Sequence, residues 1–499
     1  MMAGFLNNDN KYGRQLLDLS ALLAGLALPF AFAPYHISLL LYPLLAWLFV
    51  LSVDQTPALA FRRGWLFGFG WFAHGLHWVF YSLHNYGGSP FVLTIIIVLL
   101  LASVLALYPA LALYLARRFF KTSTRLYLLL VLPLLWLLSE WLRGYFLTGM
   151  PWLQTGYSQI DTPLAGYVPL VGGLGVSGLA AFIAALLALS LFDKKYLKHC
   201  LIMLLLVVVA GSGLQQLAWT FPVGEKIKVS LIQGNIPQDE KWTWAMHEPT
   251  LAMYRALTNK NPQSDLVIWP ETAVPDFDHA VVDYLELIRQ EAKDQKRDVI
   301  LGIFIHDQTS NRYYNSVMSM RGGQYQKRHL VPLGEYYPFR SLLLFLRQWI
   351  NIPLSDVDSG PEEQAMIEVA GHKVGISICF EDAFDRDVLK SIPEATMLVN
   401  VSNDGWFDKS PEAAQHHQIA RMRALETGRY MLRSTNTGIS AIIDAKGKDV
   451  AVAPWFERYV LTADAQPHAG QTPYAVWKNY LSVSVSFVTL LLIYFRRKI

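Results

Sequence analysis

The sequence predicts an α-helical membrane bundle of eight spans joined to one exported α/β domain. Three observations carry that expectation. Of the 499 residues, 53% are hydrophobic and only 16% charged, an apolar excess over ordinary soluble domains. Eight apolar runs of near-bilayer length are separated by polar breaks. Between those breaks Lys and Arg alternate from dense to absent.

A bilayer core takes roughly twenty mainly apolar helical residues to cross. The runs cover residues 16–32, 37–53, 64–83, 91–116, 126–142, 168–192, 201–219 and 480–495. Pro29, Pro43, Pro109 and Pro133 fall inside them, tolerated in membrane helices because neighbours re-satisfy the freed backbone groups. Residues 1–14 are polar and no small-residue cleavage pattern follows the first run, so that run is expected to stay as a span.

Orientation follows from the short loops. Lys11 and Arg14 precede the first run, and Arg62 and Arg63 follow the second. Arg117, Arg118, Lys121 and Arg125 lie between the fourth and fifth, and Lys194, Lys195 and Lys198 precede the seventh. Arg496, Arg497 and Lys498 close the chain. Loops 33–36, 84–90 and 144–167 carry no Lys or Arg, with Arg143 alone at the edge of the last. Both termini are therefore expected in the cytoplasm, and residues 220–479 on the other side. The expected division is a seven-helix membrane domain at 1–219, an exported catalytic domain at 220–479, and a last span with a basic tail at 480–499.

Within 220–479 the pattern changes to strand-length apolar runs alternating with longer amphipathic stretches, as in α/β domains. Runs 227–232, 265–269, 299–305, 374–379 and 397–401 are continuously apolar, as strands covered on both faces are. Helices are expected over 279–296 and 412–428, the second opening at Pro411 with Ser410 as its cap. The net charge of +3 is mild and no Lys/Arg tract is interleaved with aromatics, so no nucleic-acid partner is expected. Two cysteines, Cys200 and Cys379, form neither a disulfide framework nor a zinc motif.

Cys379 ends an apolar strand and is followed by Phe380, Glu381 and Asp382, which puts its thiol at a strand-to-loop turn where a following N–H can meet an oxyanion. Taken alone a strand cysteine is more often a core residue. It is unpaired in an exported domain, however, and Cys200 belongs to the cytoplasmic end of the seventh run. Glu271 stands at another strand end and is the candidate base; the alternative is a solvated loop carboxylate. In the apolar loop from Lys327 to Glu335, the lysine could stabilise an oxyanion and the glutamate hold it, or the two could form an ordinary surface ion pair. Glu140 and Arg143, three apart near the outer end of the fifth run, read equally as a functional pair or a helix-end ion pair. His416 and His417 are adjacent and diverge around their helix, so no metal is expected there.

The segments Trp269-Pro270-Glu271, Lys327 to Glu335 and Gly375-Ile376-Ser377-Ile378-Cys379-Phe380-Glu381 resemble the Glu-Lys-Cys triad of the nitrilase superfamily, which acts on carbon–nitrogen bonds. With seven runs before the domain and one after, the whole chain resembles the apolipoprotein N-acyltransferases. Further matching stretches are Gln233 to Pro237, Asn403 to Phe407 and Glu426 to Arg429. The resemblance implies a four-layer α-β-β-α sandwich. It implies Glu271 as general base, Lys327 as oxyanion stabiliser, Cys379 as acyl-accepting nucleophile, and Glu335 and Glu381 as supporting carboxylates. Phe380 departs from the tyrosine common at that position, leaving the backbone N–H, and Trp242 matches a loop tryptophan near the mouth of the site. It further implies a phospholipid acyl donor, a diacylglyceryl-modified lipoprotein acceptor, a ping-pong thioester mechanism without cofactor or metal, and a monomer in the bacterial inner membrane with its catalytic domain in the periplasm.

Two lipid substrates explain the spans. Drawing a chain of about fifteen methylenes into water costs on the order of 12 kcal/mol at roughly 0.8 kcal/mol per CH₂, so the acyl chain must arrive from the bilayer. A membrane-tethered amidase, with water resolving the thioester, would need one anchor at most. A transporter or scaffold would leave the three catalytic segments as coincidence.

Overall fold

A computed structural model of the chain describes residues 11–336, 349 and 357–496. The polar stretch before Lys11 and the tail residues Arg497 and Lys498 lie outside the described residues. The chain forms two compact units. One takes the chain up to His77, Ile95–Ala218 and the stretch from Val476; the other takes Trp78–Thr94 and Trp219–Ala475.

The first unit is helical: α1 (Lys11–Ala27), α2 (Leu41–Ser52), α3 (Pro57–Gly75), α4 (Phe91–Leu105), α5 (Leu107–Phe119), α6 (Leu132–Arg143), α7 (Val168–Phe192), α8 (Leu197–Leu214) and a C-terminal helix Tyr480–Arg496. Among the described residues, five helical stretches, Tyr12–Ala31, Phe91–Phe119, Thr124–Arg143, Pro163–Phe192 and Lys194–Leu214, are long and apolar enough to cross a membrane. Ser38–Ser52 and Tyr480–Arg496 are apolar but shorter. The most apolar window of Pro163–Phe192 is 78% buried and that of Lys194–Leu214 only 11%. The former is a bundle core, whereas the latter exposes Leu201, Leu205, Leu206 and Val209, a surface suited to an apolar medium. Where α1 meets α3 the backbones nearly touch: a Cβ on Gly25 would stand 1.9 Å from the Phe67 carbonyl oxygen. Such small-residue contacts let membrane helices pack closely.

The third expected run, 64–83, is redrawn by the structure. Thr56 accepts the Leu59 N–H and Pro57 occupies the first turn, so α3 starts seven residues earlier than the apolar run and ends at Gly75. Arg62 and Arg63 therefore lie within the helix, not in a loop. Arg63 is buried, donating to the Leu51 carbonyl at 2.7 Å and to Asp18 at 3.3 Å, with Arg62 2.6 Å from the same carboxylate. The next residues, Trp78–Thr94, fold with the second unit through a short helix Val79–Tyr81 and a π turn Ser82–Tyr86.

The second unit is built on two six-stranded sheets. Its strands are β1 (Ile227–Gln233), β2 (Leu266–Ile268), β3 (Asp298–Asp307), β4 (Arg312–Ser319), β5 (Gln324–Gln326), β6 (Ile367–Val369), β7 (His372–Ile378), β8 (Met397–Ser402), β9 (Tyr430–Thr435), β10 (Ala441–Ile443), β11 (Asp449–Val452) and β12 (Tyr459–Ala465). Its main helices are α9 (Trp244–Asn259), α10 (Val282–Asp294) and α11 (Glu412–Thr427). One sheet runs β12-β1-β2-β3-β4-β5 and the other β11-β10-β9-β8-β7-β6. Each has three parallel strands at its centre, β1-β2-β3 and β7-β8-β9, with antiparallel edges. Side chains alternate as the pleat demands. Val229, Leu231, Ile268 and Ile300 meet Ile378, Val399 and Leu432 in a core shared by the sheets. Ile232, Val267, Val299 and Leu301 point the other way onto Leu251 of α9 and Leu285 and Ile288 of α10. Two covered faces account for the unbroken apolar runs of the central strands.

Candidate active site

The parallel strands aim their carboxyl ends at one crevice, the usual ligand position in α/β sheets. Glu271 lies just beyond β2, Cys379 follows β7 directly and Asn403 follows β8, while Lys327 follows the antiparallel β5. A cavity open to solvent is lined by Glu271, Lys327, Glu335, Cys379 and Trp242 together with Asn315, Asn403, Trp406 and Phe407. Ser82, Leu83 and Gly87 complete its wall. That wall is tied down within the unit: Trp78 donates to Gln415 at 3.0 Å and packs edge-on to Phe407, and Tyr86 meets Trp406.

Cys379 is half-buried and sits at φ 53°, in the left-handed region that a side-chain-bearing residue enters only when its surroundings hold it there. Desolvation and then the Glu271 carboxylate push its thiol up to about 12, against the pull of Lys327 and His416. The Lys327 ammonium is buried between two carboxylates, 2.8 Å from Glu335 and 3.4 Å from Glu271. Burial alone would lower its pKa; Glu335 and Glu271 outweigh it and hold the lysine well above its ordinary value. Asn315 Nδ2 reaches both carboxylates, at 2.7 Å to Glu271 and 3.0 Å to Glu335. The other oxygen of Glu271 accepts the Asn403 N–H at 2.9 Å, and that of Glu335 the Val331 N–H at 2.9 Å. The donors that fix the two carboxylates around one ammonium come from three segments: Asn315 on β4, the loop after β8 and the loop from Lys327 to Glu335.

Two residues expected at the site stand beside it. Glu381 is buried under the turn, accepting the Ile378 and Arg328 N–H groups at 2.7 Å, the His329 N–H at 3.0 Å and the Tyr325 hydroxyl at 3.1 Å. Burial pushes it up to about 7 despite those donors. It ties the segment after Lys327 to the strand carrying Cys379. Phe380 is not among the described lining residues; its ring packs edge-on to Phe384 at 5.0 Å.

Three features were not legible beforehand. Asn315 bridges both carboxylates from mid-strand. Lys241, beside Trp242, is fully buried and donates to the Thr272 hydroxyl at 2.6 Å and the Glu271 carbonyl at 3.1 Å; desolvation lowers it to about 8. His416 lies behind Cys379, with ligand atoms of Asp404, Glu412 and His416 within 4.8 Å of one another. These atoms already have partners: Ser402 and Arg433 donate to Asp404 at 2.6 and 2.9 Å, and both imidazole nitrogens face acceptors. The grouping is an ion network. Sequence spacing concealed it because its members come from four segments.

Comparison with known proteins covers both units. Residues 24–186 match the family described as apolipoprotein N-acyltransferase N-terminal domain, and residues 228–474 match carbon-nitrogen hydrolase. The apolipoprotein N-acyltransferase of Methylococcus capsulatus is 44% identical over 94% of this chain and 94% of its own length. That of Nitrosomonas europaea is 40% identical over 95% and 96%, and that of Coxiella burnetii 39% identical over 95% and 98%. Among solved structures, a carbon-nitrogen hydrolase from Helicobacter pylori aligns with 54% of this chain and 98% of its own at 15% identity and a TM-score of 0.38. With relatives of this identity matched almost end to end, the chain belongs to the apolipoprotein N-acyltransferase family.

Proposed function

We propose that the chain carries out apolipoprotein N-acylation in two half-reactions through a thioester on Cys379. The observation that carries this reading is the shared cavity of Cys379, Glu271 and Lys327, with the ammonium held 2.8 and 3.4 Å from two carboxylates. In the first half-reaction Glu271 takes the thiol proton as Sγ attacks an ester carbonyl of a phospholipid. The Lys327 ammonium faces the tetrahedral oxyanion. Collapse expels the lysophospholipid alkoxide, which leaves with the proton from Glu271. In the second, the α-amino group of a diacylglyceryl-cysteine attacks the thioester, Glu271 takes its proton, and the departing sulfur recovers it. Glu335 holds Lys327, Glu381 positions the turn and the Phe380 backbone, and Trp242 borders the mouth.

The same reading makes the whole chain eight spans with the α/β unit between the seventh and eighth, its paired sheets and flanking helices forming a four-layer α-β-β-α arrangement. It functions as a monomer in the inner membrane, termini in the cytoplasm and catalytic unit in the periplasm. The alternation of Lys and Arg among the short loops supports this orientation.

Intact-mass measurement of purified protein given phospholipid tests the reading. A fatty acyl mass is expected on Cys379, removable by hydroxylamine and discharged by a diacylated lipopeptide with a free amine, and absent from Cys379→Ala. No adduct on the wild type before the acceptor is added would sink the ping-pong scheme.

A further inference from the structure

The peptide that carries the nucleophile is gripped from behind. The Cys379 carbonyl oxygen lies 3.2 Å from His416 Nε2 and 3.2 Å from Asn400 Nδ2. Asn400 is itself fixed by Ser377 at 3.1 Å and by Arg433, which donates to its side-chain oxygen. These donors act on the one strained residue of the turn, at φ 53°. An L residue in that region costs about 1 kcal/mol or more and persists only when its neighbours over-determine it.

His416 is buried. Nε2 meets Asp382 Oδ1 at 2.9 Å as well as the Cys379 carbonyl, and Nδ1 meets Asp404 Oδ1 at 3.2 Å and Glu412 Oε1 at 3.4 Å. A neutral imidazole donates through one nitrogen only, so acceptors on both sides call for both protons. The groups facing it are Asp382 from the turn, Asp404 from the loop after β8, Glu412 one turn back on α11 and Arg433 on β9, whose guanidinium is 2.9 Å from Asp404 and 3.7 Å from Asp382. Two aspartates stand against His416 and Arg433, with Glu412, pushed by burial up to about 7, beside them. A buried network of this kind is costly to break at any one member.

We propose that His416, held as an imidazolium by this network, is a positioning residue for the reaction: it clamps the Cys379 main chain in its left-handed turn and sets a fixed positive charge behind the nucleophile as the thiolate forms. Two independent features meet in it, the grip on the carbonyl and the charge. The adjacent His417 has neither, being paired with Asp449 at 3.0 Å. The inference rests on Cys379 as the nucleophile, but it can be read on the thiol itself without acyl transfer.

The test is the rate of Cys379 alkylation by iodoacetamide, followed by intact mass on the full chain in detergent between about pH 7 and 9.5, for wild type, H416Q, D404N and H417Q. Below the thiol pKa the rate follows the thiolate fraction, so losing a nearby fixed cation lowers it by a constant factor. H416Q is expected to react about tenfold more slowly at every pH while its thermal unfolding stays cooperative. D404N removes a carboxylate that raises the thiol as well as one that holds the imidazolium, so its rate relative to wild type is expected to start near one at pH 7 and to fall as pH rises and His416 loses its proton. H417Q should superimpose on wild type. An H416Q profile equal to wild type, or H416Q and H417Q falling together, overturns the proposal. Should H416Q not survive extraction, D404N decides alone through its pH dependence: a ratio to wild type that stays constant from pH 7 to 9.5 overturns the proposal.

Discussion

In the proposed mechanism a thiol pushed up to about 12 is not a preformed thiolate at neutral pH, and Cys379 loses its proton during attack. That demand falls on Glu271, which gives the variant Glu271→Gln an unusual signature. Acyl-enzyme formation should fall by about 10²- to 10⁴-fold, the ordinary worth of a general base. Alkylation of the same cysteine should stay level or quicken, because the carboxylate that raises the thiol pKa has gone. A parallel fall in both rates would mean that Glu271 only holds the turn together. Asn315→Leu tests the bridge between the carboxylates. Each carboxylate oxygen would keep Lys327 as its remaining donor; losing the two Asn315 hydrogen bonds costs about 1–3 kcal/mol, so acylation measured by rapid-quench mass spectrometry should drop about 10- to 100-fold if the bridge tightens in the transition state. Glu271 and Cys379 stand out in the sequence because each ends a strand-like run, Lys327 because it lies eight residues before Glu335 in an apolar loop, and the resemblance joins the three. Asn315 was not, since one polar residue inside Arg312–Ser319 carries no mark of the partners that other segments bring to it. His416 was hidden for the same reason, its neighbours being non-local.

Elements were easier to foresee than their ends. The central strands announced themselves by unbroken apolar runs, because the shared core and the α9–α10 layer cover both faces. The apolar run 64–83 begins later and ends further on than the helix it marks, Pro57–Gly75. Its true start, Thr56 capping Leu59 with Pro57 in the first turn, is a polar signal that an apolar count passes over, and it admits two arginines that pair with Asp18. Trp78–Thr94 looked like span and loop because its aromatic and apolar residues are those of a pocket wall, a distinction that composition does not make. Close helix packing also left a mark, in glycine. Gly25→Ala must push the Phe67 carbonyl away and so part α1 from α3, an overpacking worth about 1–3 kcal/mol. Its midpoint in a detergent thermal melt should drop by several degrees. Gly213→Ala, where a Cβ would meet nothing within 4 Å, is the matched helix control and should melt with the wild type. Equal melting of the two variants would show that the α1–α3 contact is loose.

At the scale of the whole molecule, the acyl chain sets the requirement. It is too costly to carry through water, so the side of the membrane on which Cys379 works decides which lipids can reach it. The sequence rule assigns Lys194, Lys195 and Lys198 to the cytoplasm; they open the apolar helical stretch Lys194–Leu214, after which the chain enters the α/β unit at Trp219. One crossing reverses the side, so two exposed lysines should report opposite compartments. In a Cys379→Ala background, where the remaining Cys200 is buried, Lys198→Cys and Lys448→Cys each add one exposed thiol. With the outer membrane opened and the inner membrane intact, an impermeant maleimide should label position 448 and spare position 198; detergent should then expose both. Labelling of both before detergent, or of position 198 alone, would reverse or abolish the orientation that the arginine and lysine pattern implies. The catalytic residues would be untouched by that outcome, but their lipid supply would have to come from the other leaflet.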